Sequence, residues 1–595
     1  MKNAILRDGQ AQCWLSFAEP VVVLETFDPC EVMATIQAVE ERVSAERWYA
    51  VGFISYEAAP AFDEAFVVHY SAGFPLVRFG LFDAPVVLDE LPPGFRSGGN
   101  GPSGGEWQLE NSSYRYANKI ETIKAHLRDG DSYQVNYTIR QHRRLPEDPR
   151  TLFANMAAGA AYAAYIECED FTICSASPEL FFDLDGDRLT SRPMKGTAPR
   201  GDTPEEDLRL AEWLHTSEKN RAENLMIVDM IRNDIGRIAL PGSVAVEDLF
   251  KVETHPTVLQ MTSTVRATTR SSVSEIFQAL FPCASITGAP KINTMRIIAD
   301  LEDGPRRLYT GAVGVIGPDR KARFSVAIRT AIVDNRCRQV EYGTGGGIVW
   351  DSLPEEELAE CRMKTRVVDS ADGATSFDLF ETLLWTGKEF YLLERHLTRL
   401  GESAAYFGFA SSPGKIREYL QNLVSKLPET PCRVRVFLSE GGAFRYDRVL
   451  LEEENACVWR VGIAKYPVDE SLVWLRHKTT LRGVYEQARV RCSHLDDVLL
   501  WNRDGLLTES TIANVAVRIE DRLCTPPLGC GLLPGTFRAE MIDAGELVEK
   551  EIPMGDLSVD SEIYLLNSVR RWIPAQLDAG SGEAQMTLGR YTKNS

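Results

Sequence analysis

The run Ser191-Arg-Pro-Met-Lys-Gly-Thr197, whose Lys195 lies sixteen residues after the glutamate of Ser177-Pro-Glu179, decides how this chain is read. Proline and glycine fix the backbone on either side of Lys195, a turn chemistry that presents an amine to a ligand as nucleophile or cation. Taken alone, a solvated surface lysine is the ordinary reading. The surrounding sequence changes that.

A chain of 595 residues exceeds what one hydrophobic core supports, which predicts roughly two to four domains or subdomains. Its 44% hydrophobic and 25% charged residues describe an ordinary globular composition. A formal net charge of -20 argues against nucleic acid or an anionic membrane as main partner. Anionic metabolites stay open to it, since they need only a local cluster of arginine, lysine and backbone N–H groups. Met1-Lys-Asn-Ala-Ile-Leu-Arg-Asp8 lacks the apolar core of a signal peptide, and no stretch approaches a membrane span, so a cytoplasmic protein is expected. The twelve cysteines include no Cys-x-x-Cys pair, which predicts reduced thiols rather than a disulfide framework or zinc site.

Two stretches read as linkers. Arg96 to Gly105 is glycine-rich without periodicity and is expected to separate an N-terminal subdomain, residues 1–100, from a region spanning 106–368. The small polar run 369–376 is expected to be the main boundary, with a second domain over 377–595. Arg323 to Val333 and Asn514 to Ile519 read as β-rich. Ser217 to Gly236 and Gly535 to Ala544 read as helical, so both halves look α+β or α/β.

In the helix from Ser217, Leu225, Val228, Ile231 and Ile235 form an apolar stripe with Glu223 roughly opposite. A second helix from Pro354 sets Glu357, Glu360 and Lys364 on one face. Carboxylates from two such helices could hold Mg2+ with room for a substrate carboxylate, or could form surface ion pairs. Ser285-Ile-Thr-Gly-Ala-Pro-Lys291, with Thr287 and Gly288, leads into a helix with Pro290 near its first turn, and its free N–H groups suit an anion. Gly343-Thr-Gly-Gly-Gly347 permits close backbone approach or is a turn ending a strand; it is a poor dinucleotide fingerprint.

Together with Tyr133-Gln-Val-Asn136, Pro193-Met-Lys-Gly-Thr197, Arg221-Ala-Glu-Asn-Leu-Met-Ile-Val-Asp229, Ile328-Arg-Thr330 and Gly345-Gly-Gly-Ile-Val-Trp-Asp-Ser352, these pieces resemble the chorismate-utilising enzymes. The likeness runs from about residue 113 to 368 and is strongest to the aminodeoxychorismate synthase component I group. It implies an α/β sandwich like that of anthranilate synthase component I, with Mg2+ on Glu223 and Glu360 and Glu357 close by. It also implies that Tyr309, Arg329, Lys364 and the backbone at Gly345 and Gly346 grip the two carboxylates of chorismate.

In that family a lysine at position 195 marks amination at C4, where anthranilate synthases carry a small residue. Lys195 would add at C2 as the C4 hydroxyl leaves, protonated by Glu179, and ammonia would then displace Lys195. Gln260 and Ala284 depart from the histidine and glycine usual in relatives. No cysteine of glutaminase type is present, which implies a separate glutamine amidotransferase subunit.

Residues 377 to 578 resemble the fold-type IV pyridoxal-phosphate enzymes, the D-amino acid aminotransferase group that includes 4-amino-4-deoxychorismate lyase. The resemblance rests on Phe377-Asp-Leu-Phe-Glu-Thr-Leu383, Glu394-Arg-His-Leu-Thr-Arg-Leu400, His477-Lys-Thr479, Leu507-Thr-Glu-Ser-Thr-Ile-Ala-Asn-Val515, Leu533-Pro-Gly-Thr-Phe-Arg538 and Leu566-Asn-Ser568. It implies that Lys478 binds pyridoxal 5'-phosphate covalently and moves protons, and that Glu509 pairs with the pyridine nitrogen. Thr536, Arg399 and Ser568 would hold the phosphate. A homodimer through this half is implied as well. The joint expectation is formation of 4-aminobenzoate on the folate branch. The rivals are an anthranilate- or salicylate-type enzyme fused to a branched-chain or D-amino acid aminotransferase, and a catalytically silent second half.

Overall fold

The computed structural model describes residues 1–578 apart from 10, 12, 96–106, 110–111, 146–147, 158–159, 202–203, 256–257, 370–376, 452–457, 471 and 493. The expected linker at 96–105 and all but the first residue of that at 369–376 lie outside the described residues. The chain divides into two units, one holding Met1–Arg200 and Asp207–Thr375 and the other running from Ser376 onward.

The first unit contains two ten-stranded antiparallel sheets. Strand Tyr49–Ile54 shows why they stack. Its alternate residues Val51 and Phe53 join Ala4, Phe17, Ile173 and Ile332 of the other sheet in one buried cluster. Ala50 and Ile54 point the opposite way, into a core shared with helices Val32–Glu46, Glu218–Gly236 and Val273–Leu280. A strand covered on both faces reads as a continuous apolar run, as this one does. Helices Ser113–Arg128, Pro149–Ala157 and Pro354–Asp369 cover the outer face of the other sheet. The result is an α/β sandwich.

Residues 1–100 do not form a body of their own. Strand Asn3–Asp8 pairs with Tyr162–Glu167, and Tyr49–Ile54 pairs with Ala312–Gly317, so the N-terminal strands sit inside both sheets. A glycine-rich composition reports a connection and not which strands its flanks will pair with. The β-rich run at 323–333 is also divided: Lys321–Val326 lies in one sheet and Thr330–Asp334 in the other. The chain crosses between them at Arg329, whose φ of 49° lies in the left-handed region.

Two further expectations change. In helix Glu218–Gly236 the buried stripe is Asn224, Ile227, Val228, Ile231 and Ile235, while Leu225 is 44% exposed. The inward position goes to Asn224 because its carbonyl oxygen accepts from Ser263 Oγ at 2.6 Å. Gly343 to Gly347 is not a turn but the interior of strand Gln339–Ile348, paired with Gln134–Arg144.

In the second unit a three-stranded sheet of Leu379–Trp385, Cys432–Leu438 and Phe444–Leu450 shares a core with helices Leu393–Phe407 and Pro413–Val424. An eight-stranded mixed sheet closes on itself where Leu507–Ser510 pairs with Asn514–Ile519. Helix Thr536–Asp543 starts after Gly535 at its N-cap. Among the described residues no helix is long and apolar enough to cross a membrane.

Candidate active sites

In the first unit Lys195 lies on strand Met194–Pro199 and Glu179 just before strand Leu180–Asp185. The amine lies 3.3 Å from where a side chain at Gly347 would begin, and Gln134 Nε2 fills the rest of that space. A Cβ at 347 would push on the ends of Gln134 and Lys195, and one at 346 would meet Glu357 Oε2 at 2.7 Å, so these glycines leave the three polar side chains free to reach the strand. Burial lowers the pKa of Lys195, opposed by the negative charges of Glu223, Glu179 and Glu360. Burial also raises Glu179 to about 7, opposed by a hydrogen bond from Ser285 and by Lys195. One carboxyl oxygen, Glu179 Oε1, is buried without a hydrogen-bond partner. A buried polar atom left open in this way is costly unless something meets it.

The acidic residues gather around that amine without converging. Glu360 pairs with Lys364 at 2.7 Å, and Lys364 Nζ also donates to the Gly345 carbonyl at 2.7 Å. Ser352 Oγ donates to Glu357 Oε1 at 2.6 Å. Burial raises the pKa of Glu357, and the neighbouring charge of Glu360 adds to the rise. Among the described residues no three acidic, histidine or cysteine side chains stand close enough to hold an ion. By donor chemistry the set does fit a hard divalent cation: the ligands are carboxylates, and like charge between Glu357 and Glu360 is what a cation would relieve.

The remaining expected contacts are mixed. The Arg329 guanidinium is half-buried and has no ion pair or hydrogen bond among the described residues. Tyr309 packs against the backbone at Gly343, and burial holds its phenol protonated. Thr287 does not present its hydroxyl, which donates to the carbonyls of Cys283 and Ala284. Gly288 lies in a short strand paired with Val135. Pro290 is the N-cap of helix Lys291–Leu301, and Lys291 is tied to Asp234 at 2.9 Å. Gln134, at the start of strand Gln134–Arg144, and Ser285, in the 3-10 turn Ala284–Ile286, also belong to the Lys195–Glu179 site; both are buried polar residues within the motifs, which was their one signal in the sequence.

The second site surrounds Lys478. Burial, with Arg399 next in weight, lowers its amine to about 7. Burial raises Glu509 to about 7; Tyr485 Oη donates to its Oε1 at 2.7 Å, and Asn514 and the Leu533 amide donate to Oε2 at 3.3 Å each. Arg399 donates to both oxygens of Glu381, at 2.8 and 2.6 Å, and to the Pro534 carbonyl at 2.9 Å. His396 Nδ1 completes this buried cluster 2.7 Å from Glu381. Thr536 Oγ1 lies 3.4 Å from His396 Nε2, and Ser568 Oγ donates to the Thr382 carbonyl at 3.2 Å.

A helix N-terminus at Gly535–Thr536, two hydroxyls and a guanidinium are the donor set of a phosphate cup. Across from it stand a near-neutral amine and a buried carboxyl, so the residues fit a pyridoxal-phosphate group. Sequence reasoning named neither Glu381 nor Tyr485 as a site residue. Glu381 is the residue that fixes Arg399, and its place in Phe377-Asp-Leu-Phe-Glu was the only signal.

Residues 4–369 match the family model of chorismate binding enzymes, and residues 378–577 match that of class IV amino-transferases. The chain is 41% identical over 258 residues to aminodeoxychorismate synthase component 1 of Salmonella typhimurium, covering 43% of this chain and 56% of that protein. It therefore spans about half the length of that relative. It is 32% identical over 367 residues to an anthranilate synthase component 1 of Haloarcula marismortui, covering 54% of this chain and 72% of that one. The crystal structure of anthranilate synthase component I from Streptococcus pneumoniae superposes with a TM-score of 0.52 at 23% identity, over 62% of this chain and 92% of that chain, a likeness of fold.

Proposed function

Since the chain belongs to the chorismate binding enzymes through residues 4–369 and carries a class IV amino-transferase domain over 378–577, we propose that it makes 4-aminobenzoate in two steps. The first unit converts chorismate and ammonia to 4-amino-4-deoxychorismate. The second eliminates pyruvate from that product. Ammonia comes from a separate glutamine amidotransferase.

The observation that carries the reading is an amine whose pKa burial lowers, Lys195, beside a carboxyl raised to about 7, Glu179. Retention at C4 is reached by two allylic displacements. The Lys195 amine, as its free base, bonds to C2, both ring double bonds shift (C1=C2 to C1=C6 and C5=C6 to C4=C5), and the C4–O bond breaks as Glu179 gives its proton to the departing hydroxyl, which leaves as water. Ammonia then bonds to C4, both double bonds shift back, and the C2–N bond breaks to return the Lys195 amine. Arg329, Lys364 and the Gly345–Gly346 backbone take the carboxylates of the substrate. Mg2+, held by Glu223 and Glu360 with Glu357 beside them, would offset the ring carboxylate charge and orient the ring.

In the second unit Lys478 would hold pyridoxal 5'-phosphate through its amine, Glu509 would face the pyridine nitrogen, and Arg399, Thr536 and Ser568 would take the phosphate. The cofactor, when bound, supplies an electron sink. Lys478, near neutral at about 7, is suited to remove the proton from C4 of the substrate. Loss of the enolpyruvyl group then leaves an aromatic ring, which makes the elimination downhill.

The test is mass spectrometry of the full chain incubated with chorismate and Mg2+ without ammonia. The reading expects Lys195 to carry the mass of chorismate less one water, and the adduct to vanish when ammonium is added. An unmodified Lys195 after incubation with chorismate and Mg2+ in the absence of ammonia contradicts it.

A further inference from the structure

Lys195 does not lie in a regular ladder. Strand Met194–Pro199 pairs with Val258–Thr268 so that Met194 faces Thr262 and Thr197 faces Gln260, with a register shift between. Lys195 and Gly196 together oppose the single residue Met261, which is the geometry of a β-bulge. A bulge re-aims its side chain and leaves backbone groups unpaired.

One side chain meets that need. Gln260, only 8% exposed, donates from Nε2 to the Gly196 carbonyl at 2.7 Å and accepts from Thr197 Oγ1 at 3.0 Å. Gly196 has a φ of 91°, and a side chain there would meet Asn220 at 3.1 Å, so the bulge is closed in from the far side by the start of helix Glu218–Gly236. An amide supplies a donor and an acceptor at once and carries no charge. It can therefore fix the backbone next to Lys195 without adding to the charges that already set the protonation of the amine.

We propose that Gln260 is a positioning residue for Lys195: it clamps the Lys195–Gly196 bulge so that the amine is held at one height and angle against the substrate. The proposal rests on the reading of Lys195 as nucleophile. Misplacing a reacting atom by about 1 Å costs on the order of 100-fold in rate. The substrate carboxylates are gripped elsewhere, so the loss belongs in kcat and not in KM.

Full-length Gln260→Leu, Gln260→Glu, Thr197→Val and Lys195→Ala are compared for amination of chorismate with ammonium. Gln260→Leu is expected to lower kcat by about 10- to 100-fold with KM for chorismate within about twofold. Thr197→Val is expected to lose less, and to add nothing in combination with Gln260→Leu. Gln260→Glu keeps the acceptor and loses the donor at neutral pH. Its activity relative to the wild type should recover as pH falls and the carboxyl gains a proton to donate to Gly196, a signature that a general packing role would not give.

A Gln260→Leu variant with wild-type kcat, or a Gln260→Glu to wild-type ratio that is flat with pH, overturns the clamp. Inactive Lys195→Ala in that same set leaves the nucleophile reading standing. Amination retained by Lys195→Ala overturns the nucleophile reading and the clamp with it. Should Gln260→Leu not fold, judged by its melting transition, the Thr197→Val and Gln260→Glu results decide.

Discussion

In the proposed amination Lys195 and Glu179 do opposite things with a proton, and burial serves both. It disfavours the charged form of each, which lowers the lysine and raises the glutamate to about 7. The sign of the pH dependence follows. Lys195 must shed its proton to attack, which limits the acid side; above about pH 7 Glu179 loses the proton it must give, which limits the alkaline side. Amination measured with free ammonia held constant should fall on both sides. Glu179→Gln should remove the alkaline limb and cost about 10²- to 10⁴-fold in rate. An alkaline limb that persists in Glu179→Gln would show that another group is the acid. The pair was legible in the sequence because both residues sit in short ordered motifs. Gln260 and Gln134 were not, since their roles depend on a bulged register and on glycine backbone that linear spacing does not reveal.

The cluster proposed to take the phosphate in the second unit is built by an element, helix Leu393–Phe407, which sends His396 and Arg399 toward one strand residue, Glu381. Burial opposes charge on Glu381, but Arg399 and His396 outweigh it and hold the carboxyl well below its usual range. That contribution to stability is fully present above the unfolded value of about 4.5 and is lost as pH falls. Glu381→Ala would leave Arg399 buried and unpaired and should destabilise the second unit by about 3–5 kcal/mol, read by denaturant unfolding. Arg399→Ala should weaken pyridoxal-phosphate binding by at least about tenfold, read by cofactor retention on dialysis. Near-wild-type values for both would remove the cup from the account. The spacing of His396 and Arg399 on one helical face was readable, whereas the partner strand that gives them their charge balance was not. Helix Glu218–Gly236 teaches the same lesson, because the inward place given to Asn224 over Leu225 is decided by Ser263 on a neighbouring strand.

At the scale of the molecule, alternation of apolar residues announced two mixed α and β halves, and the helices around Glu223 and Glu360 lie where periodicity put them. The interleaving of the first hundred residues through both sheets was hidden, because strand pairing over more than a hundred residues leaves no local mark. On the proposed function, one chain carries both the step that makes 4-amino-4-deoxychorismate and the step that consumes it. The most direct measurement incubates the full chain with chorismate, Mg2+, pyridoxal 5'-phosphate and ammonium and identifies the aromatic product. The account predicts 4-aminobenzoate with an equal amount of pyruvate, reduced on the order of 10³-fold or more by Lys195→Ala. Anthranilate as the product, or no aromatic product with ammonium in excess, would contradict it.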